Sequence, residues 1–377
     1  MSKKMSKKQR RRVAIWSFVT IVGVALLLPL GSQTVYWLSG AAHAQTANAA
    51  AAVNERSNMW RAVREGVSGT SSIKGDGANV LIQSGGNAWR DARENKVVKA
   101  LPWMIVGMLV LLLLYHLLHG RNRIDHELSG RKVKRWNGFE RVVHWITAFS
   151  FIALAITGLS MLFGKAMLSW TIGGSPVISK AAFAAWAQIS IQVHNIIGPV
   201  FCVGIVLMIV MWIWHNIPTV TDLKWFAQGG GLFGKAHPSA GRMNGGEKVW
   251  FWLLATLGVV VCITGVIMVA PLMGWTLPES LSSRGALQQS NLLHGILAVI
   301  WTTVALGHIY IGTAGTEGAL EGMSTGYVSE EWAKQHHDLW YKKVANKGDA
   351  GGYVDASDLE IMEEENDKTY LGTSGYS

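Results

Sequence analysis

Sulfur ligands are scarce in this chain of 377 residues, which has only two cysteines, Cys202 and Cys262. Both lie inside apolar runs, and two thiols cannot build a disulfide framework, a zinc site or an iron–sulfur cluster. The sequence also has no C-x-x-C-H pattern, which attaches c-type haem. Any bound metal must therefore be held mainly by side chains other than cysteine, and histidine is the main candidate.

Charged residues make up only 15% of the chain, whereas hydrophobic residues make up 50%. The mean hydropathy of +0.24 is too high for an ordinary soluble protein. Eighteen tryptophans suit a protein with membrane interfaces to anchor. The formal net charge of +10 suggests nucleic acid at first sight, but the basic residues cluster in short loops beside apolar runs. Charge in that position sets membrane orientation, so we expect membrane lipid and no nucleic acid as a partner.

The amino terminus has the three parts of a secretory signal. A basic run, "MSKKMSKKQRRR", precedes the apolar stretch Val13–Leu30 and the small-residue segment "AAHAQT". This order predicts a signal peptide over 1–44 with cleavage after Ala44, and the alternative is a retained transmembrane helix. Residues 45–99 are polar and should form a periplasmic segment.

Five further apolar stretches are long enough to span a bilayer. They are Leu101–Leu118, Val142–Phe163, Ile189–Trp214, Val249–Pro271 and Leu292–Ile311. The loop 120–141 carries seven Lys or Arg against three acids, so it should be cytoplasmic. With that orientation the polar carboxyl-terminal tail also ends in the cytoplasm.

Two histidines, His294 and His308, lie on the last of these stretches. In an α-helix their separation of fourteen residues corresponds to about 21 Å along the axis and about 40° around it. They therefore share a face, near opposite edges of a hydrocarbon layer about 30 Å thick. By depth alone, His144 pairs with His308 near the cytoplasmic edge, and His194 pairs with His294 near the other edge.

Each histidine pair can supply both axial ligands of a haem and leave its iron no open position. Such a haem moves electrons and does not bind oxygen. Small residues beside the histidines, Gly198, Gly295 and Gly307, would admit a flat macrocycle. The alternative is that intramembrane histidines only hydrogen-bond neighbouring helices, but four histidines matched pairwise in depth favour haem.

Three other histidines are less suited to ligate haem. His116 and His119 end the first apolar stretch and are alternative ligands for a cytoplasmic haem. His215 ends another stretch, where an interfacial role is expected.

With these motifs in place, the chain resembles the cytochrome b (gamma) subunit of respiratory formate dehydrogenase over about residues 136–345. The resemblance rests on "ERVVHW", "VHNIIGPVF", "WHNIP", "NGGEKVWFW", "LLHGILAVIWTTVALGHIY" and "EGMSTGYVSEEWAKQHHDLWY". The segment "WRAVREGVSGTSSIKG" is similar to the longer variant of that subunit.

The resemblance implies an all-α membrane protein with a four-helix di-haem cytochrome b bundle over 136–315. One extra amino-terminal transmembrane helix at 100–119 precedes the bundle, after the signal peptide or additional helix, and a cytoplasmic tail over 316–377 follows it. The family's ligands for two haem b groups fall on His144, His194, His294 and His308. These match the pairs expected from depth.

The family's quinone-binding motif falls on Asn244, Gly246, Glu247 and Lys248. The family has glutamine where this chain has Glu247, which puts a neutral hydrogen-bonding role there in doubt. The carboxylate could relay a proton, or it could be a solvated charge near the positive end of a helix dipole.

The implied function is transfer of electrons from a periplasmic iron–sulfur (beta) subunit across the bacterial inner membrane to quinone. Formate oxidation itself would take place on a molybdenum- or tungsten-containing catalytic (alpha) subunit, so this chain would be the quinone-reducing subunit. Alternative functions are a di-haem cytochrome b of a hydrogenase or thiosulfate reductase, and a haem-free membrane anchor or transporter.

Two further motifs carry weaker predictions. "GGGLFG" formally matches a dinucleotide-binding pattern, but no predicted strand precedes it. The tail segment "AKQHHDLWY" has adjacent histidines, and its aromatic residues predict an interfacial amphipathic segment in preference to a metal site.

Overall fold

Helices form most of the computed structural model, which describes residues 84–345 apart from 170, 173–174 and 233–235, together with 61, 64–66 and 353–355. The predicted signal segment 1–44 and most of the polar segment 45–99 lie outside the described residues.

Five helical stretches in the described part of the chain are long and apolar enough to cross a membrane, which confirms the five predicted spans and the all-α membrane fold class. They are Ala88–His119, Gly138–Leu162, Lys180–His215, Gly245–Val269 and Arg284–Gly315. Several helices continue beyond their apolar core. The third begins at Lys180, well before the predicted start at Ile189, because the intervening alanine-rich segment has high helix propensity.

The α-helices are α1 Ser84–Asp91, α2 Val98–His119, α3 Gly138–Leu162, α4 Gly164–Ser169, α5 Lys180–Trp212, α6 Val220–Ala227, α7 Gly245–Leu253, α8 Val259–Val269, α9 Glu279–Ser282, α10 Arg284–Tyr310, α11 Ala319–Thr325, α12 Glu330–His336 and α13 Asp338–Ala345. Wider π-helical turns at Ala92–Val97, Leu254–Gly258 and Ile311–Gly315 interrupt or extend the spans.

Five short strands accompany these helices. They are β1 Arg131–Lys134, β2 Thr171–Ile172, β3 Ser175–Pro176, β4 Tyr327–Ser329 and β5 Tyr353–Asp355. β1 is the centre of a three-stranded antiparallel sheet between β4 and β5, and β2 pairs with β3. Val133 of β1 lies opposite Val328 of β4, and both side chains are fully buried.

The same buried cluster includes Trp332 and Ala333 of α12. The tail therefore begins as a packed element against the loop 120–141. The sequence predicted a polar tail with an interfacial amphipathic segment and did not predict the sheet.

The chain forms two compact units, each assembled from separate segments. The first contains Phe149–Val200 and Val260–Thr303, with the described residues before Met108. The second contains Met108–Ala148, Phe201–Val259 and the described residues from Val304 onward. His194 and His294 belong to the first unit, whereas His144 and His308 belong to the second.

Candidate functional site

The first unit brings together the rings of His194 and His294. Their centroids are 6.1 Å apart and their planes are inclined by 67°. An imidazole nitrogen lies about 2.0 Å from a metal that it binds and about 1.1 Å from its own ring centroid, so two rings on one metal have centroids about 6.2 Å apart. The spacing of this pair is therefore close to that expected for two imidazoles on one metal.

Threonine hydroxyls fix which nitrogen of each ring is free. Thr157 Oγ1 donates to the Ala153 carbonyl at 2.8 Å, so it accepts from His194 Nδ1, which is 2.9 Å away. His294 Nδ1 lies 3.0 Å from the Val261 carbonyl and 3.0 Å from Thr264 Oγ1. Because a carbonyl only accepts, Nδ1 of His294 carries the proton. In both rings Nε2 is left with the lone pair that ligates a metal.

Each of these threonines precedes a glycine that lies against the same histidine. A Cβ at Gly158 would be 3.2 Å from His194 Cε1, and a Cβ at Gly265 would be 3.3 Å from His294 Cε1. These residues were not predicted from the sequence, although the repeated tripeptide Ile-Thr-Gly at 156–158 and 263–265 is a signal for them. The glycines that were predicted lie elsewhere: a Cβ at Gly198 or Gly307 would meet nothing within 4 Å, and one at Gly295 would lie 3.8 Å from Leu162.

The second unit brings together His144 and His308, with ring centroids 6.5 Å apart and planes inclined by 57°. Trp250 stacks on His308 at 4.6 Å and is almost parallel to it, so the indole restrains the orientation of that ring. His144 Nδ1 is buried and has no hydrogen-bond partner among the described residues. This pair also has the spacing of two ligands to one metal.

The other candidate histidines have different neighbours. His116 Nδ1 lies 3.0 Å from the Tyr310 hydroxyl, and His119 stacks on Tyr115. His215 Nε2 lies 3.1 Å from a guanidinium nitrogen of Arg242. Within the described residues, no group of three or more His, Cys, Asp or Glu side chains is arranged to hold a metal ion.

The residues predicted to bind quinone form the start of α7. Asn244 is the N-cap and accepts from the Glu247 amide, while Glu247 Oε2 accepts from the Asn244 amide at 2.9 Å. A Cβ at Gly246 would lie 3.1 Å from Trp225 of α6. Helix capping thus accounts for part of this motif, and it holds the Glu247 carboxylate in a defined place.

Lys248 anchors α7 to α6 through a 2.8 Å ion pair with Asp222. Burial raises the pKa of the Asp222 carboxyl, but hydrogen bonds from Lys248 and Thr219 outweigh it and hold that pKa below its ordinary value. Asp222 therefore stays ionised, and Lys248 has a structural partner here.

A buried guanidinium faces Glu247. Arg135 Nη2 lies 2.8 Å from Glu247 Oε1, and its guanidinium also lies over the rings of Trp332 and Trp340 at 4.6 and 5.8 Å. Burial lowers the pKa of Arg135, and the charge of Glu247 opposes that shift. Glu247 is therefore a paired carboxylate and not simply a solvated helix-start charge.

The adjacent histidines of the tail also lie in this region. His337 is buried, its Nδ1 is 2.7 Å from the Gly241 carbonyl, and its Nε2 is 3.8 Å from Glu247 Oε2. Burial, then the charges of His237 and Arg135, lowers the pKa of His336 to about 4. Burial, then Arg135, holds the pKa of His337 well below its ordinary value. Both rings are therefore neutral at pH 7.

Comparison with known proteins identifies relatives of this chain. The family model of prokaryotic cytochrome b561 matches residues 135–326. The cytochrome b556(Fdn) subunit of nitrate-inducible formate dehydrogenase from Escherichia coli is 27% identical over 219 residues, which cover 57% of this chain and 93% of that subunit. The formate dehydrogenase cytochrome b556 subunit of Haemophilus influenzae is 30% identical over 208 residues, covering 54% of this chain and 79% of that subunit.

Proposed function

This chain belongs to the prokaryotic cytochrome b561 family, and from that premise we propose that it is the cytochrome b subunit of a formate dehydrogenase. In this proposal it passes electrons from a periplasmic iron–sulfur subunit across the membrane to quinone. The proposal is supported by the relatives named as cytochrome b556 subunits of formate dehydrogenase. The observation that carries it is the pairing of four histidine rings, two by two, at the spacing of axial ligands.

The four histidines would hold two haem b groups, one between His194 and His294 and one between His144 and His308. When bound, haem b would supply a one-electron carrier. The residues fit that group, because Nδ1 of His194 and of His294 is hydrogen-bonded and leaves Nε2 free to ligate a metal, and Gly158 and Gly265 have no Cβ to crowd these two rings. With two histidines held by protein at each haem, the site would transfer electrons and would not bind oxygen.

Quinone would be reduced in the second unit, beside Asn244, Gly246 and Glu247. Reduction of a quinone to a quinol takes two electrons and two protons, and the protons would come from the cytoplasm. The iron–sulfur subunit and a molybdenum- or tungsten-containing catalytic subunit would lie outside the cytoplasm. The chain would be a multi-pass protein of the inner membrane with its carboxyl terminus in the cytoplasm.

The proposed function is tested by optical spectroscopy on the purified complex. Formate should reduce the b-type haem of this subunit, and a soluble naphthoquinone added afterwards should reoxidise it. Hydrogen should not reduce this haem, and thiosulfate should not reoxidise it. Reduction by hydrogen but not by formate would contradict the formate dehydrogenase assignment, and a complex without visible haem absorbance would leave a haem-free anchor or transporter.

The threonine contacts give a further prediction for the first histidine pair. Thr157→Val should weaken haem retention at that pair by about tenfold to a hundredfold, the usual effect of removing a hydrogen bond that orients a metal-ligating histidine. Thr264→Val should have a smaller effect, because the Val261 carbonyl still accepts from His294. The measurements are haem content after gel filtration and the midpoint potential of the haem that remains.

Thr303→Val is the matched control for both variants. Thr303 is buried and donates to the carbonyl of Val299 in its own helix. Equal haem retention and equal potentials in Thr157→Val and Thr303→Val would show that the hydroxyl of Thr157 does not position the ligand.

A further inference from the structure

Glu247 and His337 face each other with atoms that both accept hydrogen bonds. His337 Nδ1 lies 2.7 Å from the Gly241 carbonyl, so this nitrogen carries the proton of the neutral ring. Its Nε2 is buried, has no hydrogen-bond partner among the described residues, and lies 3.8 Å from Glu247 Oε2. A lone pair therefore faces a carboxylate oxygen that also accepts from the Asn244 amide, and one added proton between them would give Nε2 a hydrogen-bond partner.

A second group of side chains begins at His336, which precedes His337 in the chain and whose charge acts on it. His336 Nε2 is also buried without a hydrogen-bond partner in the part of the chain that the structure describes. The ring of His336 lies edge-on to that of His237, with centroids 6.4 Å apart. His237 Nε2 in turn lies 2.7 Å from Asp125 Oδ2, and the Asp125 side chain is 56% exposed.

We propose that these three histidines carry protons from Asp125 at the surface to Glu247, beside the predicted quinone site. This inference rests on the proposed function, because a proton path to Glu247 has a purpose only if quinone is reduced there. In this proposal the "QHH" segment of the tail, for which the sequence predicted only an interfacial position, transfers protons.

The charges around the path suit transfer of protons and not their storage. Arg135 Nη2 lies 2.8 Å from Glu247 Oε1, so the carboxylate has a cationic partner on the side away from His337 Nε2. The cation of Arg135 also disfavours a second charge on His336 or His337. Asp338 is another charged group that acts on His337.

Atoms and charges balance in the proposed step. The O–H bond of protonated Glu247 breaks as an O–H bond forms on a quinone oxygen, and a proton on Nε2 of His337 then restores Glu247. Closing the 3.8 Å gap requires a shift of about 1 Å, since an N–H···O hydrogen bond is about 2.9 Å long. Two such deliveries accompany the two electrons that formate supplies through the partner subunits.

The test separates electron entry from proton delivery in the complete purified complex. Reduction of the haems by formate is followed by stopped flow without quinone, and their reoxidation by 2,3-dimethyl-1,4-naphthoquinone is followed between pH 6 and 9. In His337→Gln and His237→Gln we expect unchanged haem reduction and reoxidation slowed about tenfold or more at pH 8, the low end of effects from lost proton transfer. Because His237 lies near the surface, added imidazole should partly restore reoxidation in His237→Gln.

His126→Gln is the control, because His126 is an exposed residue next to Asp125. Reoxidation in His337→Gln and His237→Gln equal to wild type at every pH would overturn the path, and so would equal slowing in His126→Gln. Failure of formate to reduce the haems of the wild-type complex would instead overturn the proposed function. Normal haem reduction in His337→Gln also shows that the variant is folded.

Discussion

Replacing His194 or His308 by alanine is expected to lower the haem b content from two per chain to about one. The two residues belong to different histidine pairs, with ring centroids 6.1 and 6.5 Å apart, so each substitution would remove one proposed ligand from one haem. A single imidazole would then remain at that haem. Formate-driven reduction of quinone should be lost in both variants. The measurement is a pyridine haemochrome assay on the purified complex.

His215→Ala is the matched control for this experiment. His215 lies at the end of the same membrane-crossing stretch as His194 but contacts Arg242. It should keep two haems per chain. Retention of two haems in His194→Ala would remove His194 from the ligand set, and a wild-type content of one haem would contradict the two-site arrangement.

The pairing of the four histidines could be predicted from the sequence because it depends on two quantities that the sequence determines. The length of each apolar run fixes where a helix lies in the membrane, and the rise of 1.5 Å per residue fixes depth along it. Helix ends were less predictable. The third span begins at Lys180 and not at Ile189 because the alanine-rich segment 180–188 continues the helix, although it is less apolar than the span itself.

The residues that orient the histidines could not be predicted from the sequence in the same way. Thr157 and Thr264 lie on other helices than the rings that they contact, so their roles depend on how the helices are rotated about their axes. Hydropathy does not report that rotation, since threonine and glycine are common inside membrane helices. Only the repeated Ile-Thr-Gly tripeptide pointed to these positions.

The region around Glu247 was predicted least well. Val133 pairs with Val328 and Arg135 with Glu247 across long sequence separations, and the strands are only four and three residues long. Such short strands have no reliable sequence pattern. The burial of His337 follows from this packing, so the sequence indicated a polar tail where the structure has a buried ionic cluster.

The largest effect of the proposed direction of electron transfer should appear in sealed proteoliposomes. With formate outside and quinone in the bilayer, turnover should make the lumen alkaline, because the two protons of each quinol are taken from the side of Glu247. Electrons that move inward make the lumen negative. Each electron then costs about 2.3 kcal/mol per 100 mV, or about 4.6 kcal/mol for the two electrons of one quinol.

This opposing potential predicts that turnover slows several-fold within sealed vesicles and recovers when valinomycin and an uncoupler are added together. A pH-sensitive dye trapped in the lumen reports the direction of the proton change, and vesicles with His308→Ala provide the control without electron transfer. Quinol formation with an unchanged or acidified lumen would place quinone reduction on the formate side. That result would contradict a proton path through His337, because Glu247 would then no longer lie beside the site where protons are consumed.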